Sequence, residues 1–316
     1  MLKKLLRCVL VVIRLLIHFL CSFSNEKVLH SQSSRYNQRI LICSSRSKIR
    51  MRFNDMSSGI QSEIDLNRMN SPIVNYIQLM LVSLVYFPLD FNSKEILIIG
   101  LGGGVLPRTL RSLFPNCSIT IVEIDQIVCE LAKKYFFFQE DSQMQVNICD
   151  GRTYLTQLSE QIQFDVIFVD AYDSNNSLPF HMKTEEFFVL LRNHLKSEGG
   201  FIIWNLVSIY QSFVNISQTI RSVFNSNHLI EFRTRNHLNR IVVVSTFTNV
   251  DFQQRNEEFL RLFEDKLSID PLNLLKSEDK QMKSACMNST IDIYTDQSND
   301  IFYEENLSLG QFLNLN

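Results

Sequence analysis

Apolar and polar positions change their period along this chain. Between residues 35 and 64 they fall in short runs, 36–43, 49–53 and 59–64, with polar turn residues between them, which predicts a small N-terminal β-hairpin domain over 35–66. Pro72 then opens a run with Ile73, Tyr76, Ile77, Met80, Leu81, Leu84 and Val85 at helical spacing, closed before Pro88. From residue 95 onward, apolar runs at 95–99, 118–123, 144–148, 164–169 and 200–205 alternate with helical stretches near 105–114, 125–138, 151–159 and 184–196. Strands separated by helices run parallel, and apolar residues on both faces mean helices cover both. After a further helix near 210–224, runs at 228–233 and 240–246 are joined by a short polar turn and predict an antiparallel hairpin at the sheet edge. The main unit is expected over 71–268. Beyond 270, Ser, Asn, Asp and Lys dominate without sustained period, predicting a loosely attached, partly disordered tail over 270–316.

Composition adds to this picture mainly at the start. With 316 residues, 45% hydrophobic and 20% charged, the chain can bury a core, and its 24 Phe residues are accounted for as core filling. A net charge of -2 supplies no basic field, so nucleic acid is not an expected partner. In residues 1–24, Lys3, Lys4 and Arg7 precede an apolar stretch from 8 to 21, and Ser22-Phe23-Ser24 places small residues where a signal peptidase reads. That layout predicts a signal peptide or membrane anchor and a secretory or membrane location. Arg14 and His18 interrupt the stretch, which counts against a spanning helix of about 20 residues; a mitochondrial presequence or a mispredicted start are the alternatives. Without a true signal the chain is expected in the cytoplasm. Sequons at Asn116, Asn175, Asn215, Asn288 and Asn306 permit secretion without requiring it. Of the seven Cys residues, none shows CxxC or Cys/His metal spacing, so no metal is expected; Cys117, Cys129 and Cys149 lie on or beside apolar runs as small hydrophobes.

Chemistry concentrates at predicted strand ends. The run ILIIGLGGG, 96–104, takes a buried strand directly into a glycine turn and then a helix; Gly100, Gly102, Gly103 and Gly104 let backbone approach a ligand and expose amides at a helix N-terminus. Glu123 ends the next strand about 20 residues on, where a carboxylate can accept from two ribose hydroxyls. Asp150 and Gly151 follow the third strand; Asp150 can accept from an adenine amino group and can equally cap the next helix. The fourth strand ends at Asp170, with Asp173 three residues later, two carboxylates placed to bind an amine and take its proton; Asp173 also fits a turn-capping role. His181, in LPFHMK, has no partner identifiable in sequence and reads as a loop or helix-entry residue. Five parallel strands ending in a hairpin point to an α/β fold of the Rossmann-like, class I methyltransferase type.

In this order, strand-GLGGG, VEID, CDGR and VDAYD resemble the spermidine synthase-like proteins over residues 36–246. SSGIQSEID, 57–65, resembles the family's N-terminal hairpin with its Gln, and LPFHMKTEEFF, 178–188, resembles bacterial and fused members. The VGLGGG-type turn and VEID are also similar to the C-terminal domain of the methyltransferase-like proteins that modify translation elongation factor 1A. The resemblance implies alkyl transfer from a sulfonium cofactor to an amine. It places the nucleoside against residues 100–104, Glu123, Asp150 and Gly151, with Asp170 facing the amine and Gln61 and Tyr76 over the pocket. Tyr76 also lies on the apolar face of its helix, where core packing is the alternative. A homodimer through the N-terminal hairpin domain fits the same resemblance.

The departures bear on the reaction. Aminopropyltransferases resemble one another in a glycine loop containing Asp, which binds the free amine of decarboxylated S-adenosylmethionine; aligned on Arg108, that position is Gly103. Without the acid, the carboxylate of ordinary S-adenosylmethionine meets no repulsion. Asn75 and Gln78 flank Tyr76 where the family has acids, and Ser174 follows Asp173 in place of Pro, leaving fewer charges for a polyamine. The leading expectation is therefore an S-adenosylmethionine-dependent methyltransferase acting on an amine of a protein or small molecule. Aminopropyl transfer from decarboxylated S-adenosylmethionine is the second reading, and a non-catalytic binding protein of the same fold the third.

Overall fold

The computed structural model describes residues 26–87, 91, 94–172, 178–207, 212–224, 229–234, 238–246, 255–275 and 293–297. The leader 1–24 and Asp173 lie outside the described residues. No helix among the described residues is long and apolar enough to cross a membrane.

Two sheets form. The first is antiparallel, in the order β1-β2-β3-β4, from Lys27–Gln32 (β1), Ile40–Ser45 (β2), Lys48–Phe53 (β3) and Ile60–Asp65 (β4). Strand β1 is absent from the sequence expectation. Its apolar residues Val28 and Leu29 face solvent, 43% and 42% exposed, so no buried face patterned it. It is an edge strand, irregular between Val28 and His30, held by its ladder to β2.

The second sheet has seven strands in the order β10-β11-β9-β8-β5-β6-β7. Glu95–Ile99 (β5), Ser118–Glu123 (β6), Met144–Ile148 (β7), Val166–Val169 (β8) and Phe201–Val207 (β9) run parallel, and Leu229–Arg233 (β10) and Asn239–Ser245 (β11) form the antiparallel hairpin at the edge. This is the Rossmann-like methyltransferase order. The chain steps from β5 to β6 and β7 on one side, then returns to β8 and β9 on the other, so the strand order reverses at the C-terminal ends of β5 and β8. Ligands in such sheets sit at that crevice.

Helices cover both faces. Asn75–Val82 (α1), continued by a 3-10 turn Ser83–Tyr86, packs with Val105–Leu113 (α2) and Gln126–Tyr135 (α3) on one side. Gly151–Gln157 (α4), Glu185–Asn193 (α5) and Ser212–Val223 (α6) cover the other. Phe87, Phe91, Phe114 and Phe259 form a chain of ring contacts under the first face, with centroids 4.4–5.6 Å apart, so aromatic volume does fill the core. Glu257–Leu267 (α7) and Pro271–Leu275 (α8) also pack there. The tail expected after 270 is thus not uniformly loose: Leu274 and Leu275 are 5% and 2% exposed, and Tyr294 is 4% exposed on the opposite face. These anchors are too few and too widely spaced in polar sequence to register as a period.

Candidate functional site

The glycine turn is shaped by what surrounds it. Gly100 leaves β5 with φ 99°, and a Cβ there would stand 2.2 Å from the carbonyl oxygen of Asp170, so only glycine lets β5 and β8 lie this close at their ends. Gly104 takes the left-handed conformation, φ 68°, and starts helix α2. A Cβ on it would meet the Phe138 ring at 2.7 Å, as one on Gly102, φ 54°, would meet Ser62 Oγ at 2.7 Å. Strand β4 therefore closes directly on the turn: Gly103 donates its amide to Ser62 Oγ at 2.7 Å. A Cβ on Gly103 would lie 2.6 Å from Phe136 Cδ1 and 2.9 Å from Ser62 Cβ. On Gly151 it would meet Ile99 Cγ2 at 2.5 Å, which lets helix α4 start tight against β5.

Three carboxylates stand along the same sheet edge. Glu123, at the end of β6, accepts from the amide of Leu101 at 2.9 Å and from that of Asp125 at 2.9 Å. Burial pushes its carboxyl above the usual range, while the amides of Asp125, Leu101 and Gly102 oppose the shift. Asp150 follows β7. One of its oxygens caps α4 through the Thr153 amide at 2.8 Å, and the other meets His181 Nε2 at 2.8 Å. Burial alone would raise Asp150, but the His181 and Thr153 donors outweigh it and hold the carboxyl down at about 2. Of the two roles open to Asp150 in the sequence, the helix cap is made, and the oxygen beyond the cap is engaged by His181.

Asp170 stands at the tip of β8. Asn205 Nδ2, on β9, donates to its Oδ1 at 2.8 Å, and Asn239 Nδ2, on β11, donates to Asn205 Oδ1 at 3.0 Å. The Tyr76 hydroxyl, on α1, interacts with the same carboxylate and lies 3.2 Å from the carbonyl oxygen of Gln61. Burial raises Asp170 from 3.8 to about 6, against the lowering effect of the Asn205 and Tyr76 donors. Tyr76 is in turn pushed well above its ordinary range, by burial first and then by the negative charge of Asp170. Tyr76 is thus more than core filling: its ring is half-buried and its hydroxyl reaches the strand-end acid. From Asp150 through Glu123 and the glycine turn to Asp170 is three strand spacings, about 14 Å, room for a nucleoside carrying a short arm. Acceptors at both ends and close backbone between them form a donor and acceptor set that fits such a ligand.

The spermine/spermidine synthase domain matches residues 76–288, well over half of the chain. The chain belongs to that family. It is 33% identical over 180 residues to a polyamine aminopropyltransferase of Vibrio vulnificus (strain CMCP6), a match covering 57% of this chain and 58% of that protein. It is 32% identical over 136 residues to the eEF1A lysine and N-terminal methyltransferase homolog of Drosophila melanogaster, covering 42% of this chain and 20% of that one. The chain thus spans at most about three fifths of the length of these curated relatives, which are transferases of two kinds. Among solved structures, a probable spermidine synthase from Corynebacterium glutamicum ATCC 13032 superimposes with TM-score 0.64 at 16% identity over 86% of this chain and 98% of that one. Spermidine synthase from Thermotoga maritima gives TM-score 0.59 at 21% identity, covering 79% and 83%. At these identities the likeness is one of fold.

Within the spermine/spermidine synthase frame, the structure brings together Gly100, Gly102, Gly103, Gly104, Glu123, Asp150, Gly151, Asp170, Gln61 and Tyr76 at one edge. Three residues there were not singled out in sequence. Ser62 is one place from the Gln that was, and Asn205 and Asn239 belong to strands from the far half of the sheet. His181 was noted, but its partner Asp150 lies 31 positions away, so no local spacing could pair them.

Proposed function

We propose that the protein is an S-adenosylmethionine-dependent methyltransferase of spermidine synthase-like fold, transferring a methyl group to an amine of a protein or small molecule. The observation that carries the reading is Asp170: a carboxylate held by Asn205 and Tyr76 at the strand-order reversal, raised to about 6, and set against the glycine turn through the Gly100 approach. Bound there, S-adenosylmethionine supplies an electrophilic methyl on a sulfonium that is already a good leaving group. The chain's part is then positioning and proton removal. Glu123 accepts from the ribose hydroxyls and Asp150 from the adenine edge, while the turn 100–104 gives the nucleoside close backbone. Tyr76 and Asn205 fix Asp170 so that it orients the incoming amine and takes the proton released as the carbon–nitrogen bond forms.

Methyl rather than aminopropyl transfer is favoured by Gly103. Its Cβ position is filled by Phe136, itself 0% exposed, and by Ser62, so no acidic side chain can stand there to hold a cofactor amine. Aminopropyl transfer from decarboxylated S-adenosylmethionine is the second reading, favoured by the 33% identity to the Vibrio enzyme. Calorimetric titration of the wild-type chain and of Asp170→Asn with both cofactors tests the choice. Tighter binding of S-adenosylmethionine is the expected result; preference for the decarboxylated compound overturns the first reading in favour of the second.

A further inference from the structure

A strap from the far end of the chain, residues 293–297, is pinned beside the Asp150 corner. Tyr294 anchors it: its amide donates to Thr219 Oγ1 at 3.0 Å, its carbonyl accepts from the Glu185 amide at 2.7 Å, and its phenol oxygen accepts from Asn215 Nδ2 at 3.1 Å. Two residues later, Asp296 donates its amide to Glu186 Oε2 at 2.9 Å and turns its carboxylate onto Arg152. That contact is a two-pronged fork, Nη1 to Oδ1 at 2.7 Å and Nη2 to Oδ2, with Thr184 Oγ1 donating to Oδ1 at 2.8 Å. Arg152 Nη1 also donates to the carbonyl oxygen of His181 at 2.9 Å, and the His181 ring reaches Asp150 Oδ2 at 2.8 Å.

One guanidinium therefore grips two separate segments, the strap and the 3-10 turn Phe180–Met182 that carries His181. Tyr294 seats the strap through its contacts to Thr219, Glu185 and Asn215. What Asp296 adds is a charge that fixes the plane of Arg152, and with it the carbonyl of His181. We propose that Asp296 is a positioning residue: through Arg152 it holds the His181 turn against Asp150 and so shapes the adenine end of the nucleoside site. The functional half of this rests on the placement of a nucleoside at Asp150 given above.

The test uses the full chain and the isosteric substitution Asp296→Asn, with His181→Ala and the double variant. S-adenosylmethionine affinity by calorimetry is expected to fall about fivefold or more in Asp296→Asn and in His181→Ala. The double variant is expected to match His181→Ala within about twofold, because a residue acting through His181 has nothing to act on once the ring is gone. A purely structural role gives additive losses instead, and additivity overturns the proposal, as does Asp296→Asn binding within about twofold of wild type. Hydrogen exchange over 178–186 in the ligand-free chain reads the mechanical link separately, and is expected to quicken in Asp296→Asn. Unchanged exchange overturns the link. If wild type binds neither S-adenosylmethionine nor its decarboxylated analogue, the nucleoside reading falls, and with it the functional half of the proposal.

Discussion

At the scale of single residues, Asp170 couples function to stability with opposite signs. Its folded value of about 6 lies above the ordinary 3.8, so folding favours the protonated acid. Between those values the native state holds a proton the unfolded chain has lost, so stability falls as pH rises through about 6 and the full cost is present above it. Asp170→Asn is expected to raise unfolding free energy at pH 8 by on the order of 2 kcal/mol, with the gain shrinking toward zero at pH 4; urea denaturation at the two pH values measures it. The same substitution is expected to cost turnover about 100-fold or more, and wild-type kcat/KM should climb with pH to a plateau above about 6. Gly103 makes a steric prediction. Gly103→Asp drives a Cβ into Phe136 and Ser62, so the expected outcome is a fall in stability of about 1–3 kcal/mol and no gain in affinity for decarboxylated S-adenosylmethionine. Thermal unfolding and titration check the two halves.

At the scale of elements, β4 and the terminal helices matter most. Ser62 on β4 is the acceptor of the buried Gly103 amide, and Ser62→Ala leaves that amide unpaired. A loss of about 1–3 kcal/mol in stability together with weaker S-adenosylmethionine binding is expected; unchanged affinity in calorimetry shows that the sheet does not shape the turn. Helix α7 is capped at both ends, with Asn256 accepting from the Glu258 amide at 3.0 Å and Ser268 ending it in the left-handed conformation at φ 53°. Asn256→Ala is expected to cost about 1 kcal/mol, and Ser268→Gly to stabilise by about 0.5–1 kcal/mol by relieving that backbone. Denaturation midpoints of the two variants should move in opposite directions. Neither helix α7 nor β1 is among the elements expected from the sequence, although α7 carries an apolar stripe in Phe259, Leu260, Phe263 and Leu267 and β1 carries none.

At the scale of the whole molecule, the small sheet and the large one are tied where the site lies. Ser34 Oγ and Asn37 Nδ2, from the first sheet's loop, donate to Asp125, whose amide donates to Glu123. Arg108 on α2 donates to the carbonyls of Met69 and Phe136, and Ser62 accepts from Gly103. With these ties the two sheets are expected to unfold in one transition, and bound S-adenosylmethionine should move that transition as a unit. Scanning calorimetry with and without the cofactor checks it; two separable transitions, only one of them ligand-sensitive, contradict the coupling.

The sequence by itself determined the alternation of strands and helices, the bounds of β5, β6 and β7, and the carboxylates at three strand ends, because period and strand-end chemistry are local properties that neighbouring residues express together. It also marked the glycines, since a turn that tight tolerates few other residues. Only the tertiary structure decided what those residues meet. Asn205 reaches Asp170 across 35 positions and Asn239 reaches Asn205 across 34, Ser62 reaches Gly103 across 41, and Asp296 reaches Arg152 across 144. The same holds for Gly103, whose missing acid was visible in sequence while Phe136, which closes the space for it, was not. Contacts at such separations are set by sheet order and by which helix covers which face, and neither is written in the spacing of any one segment.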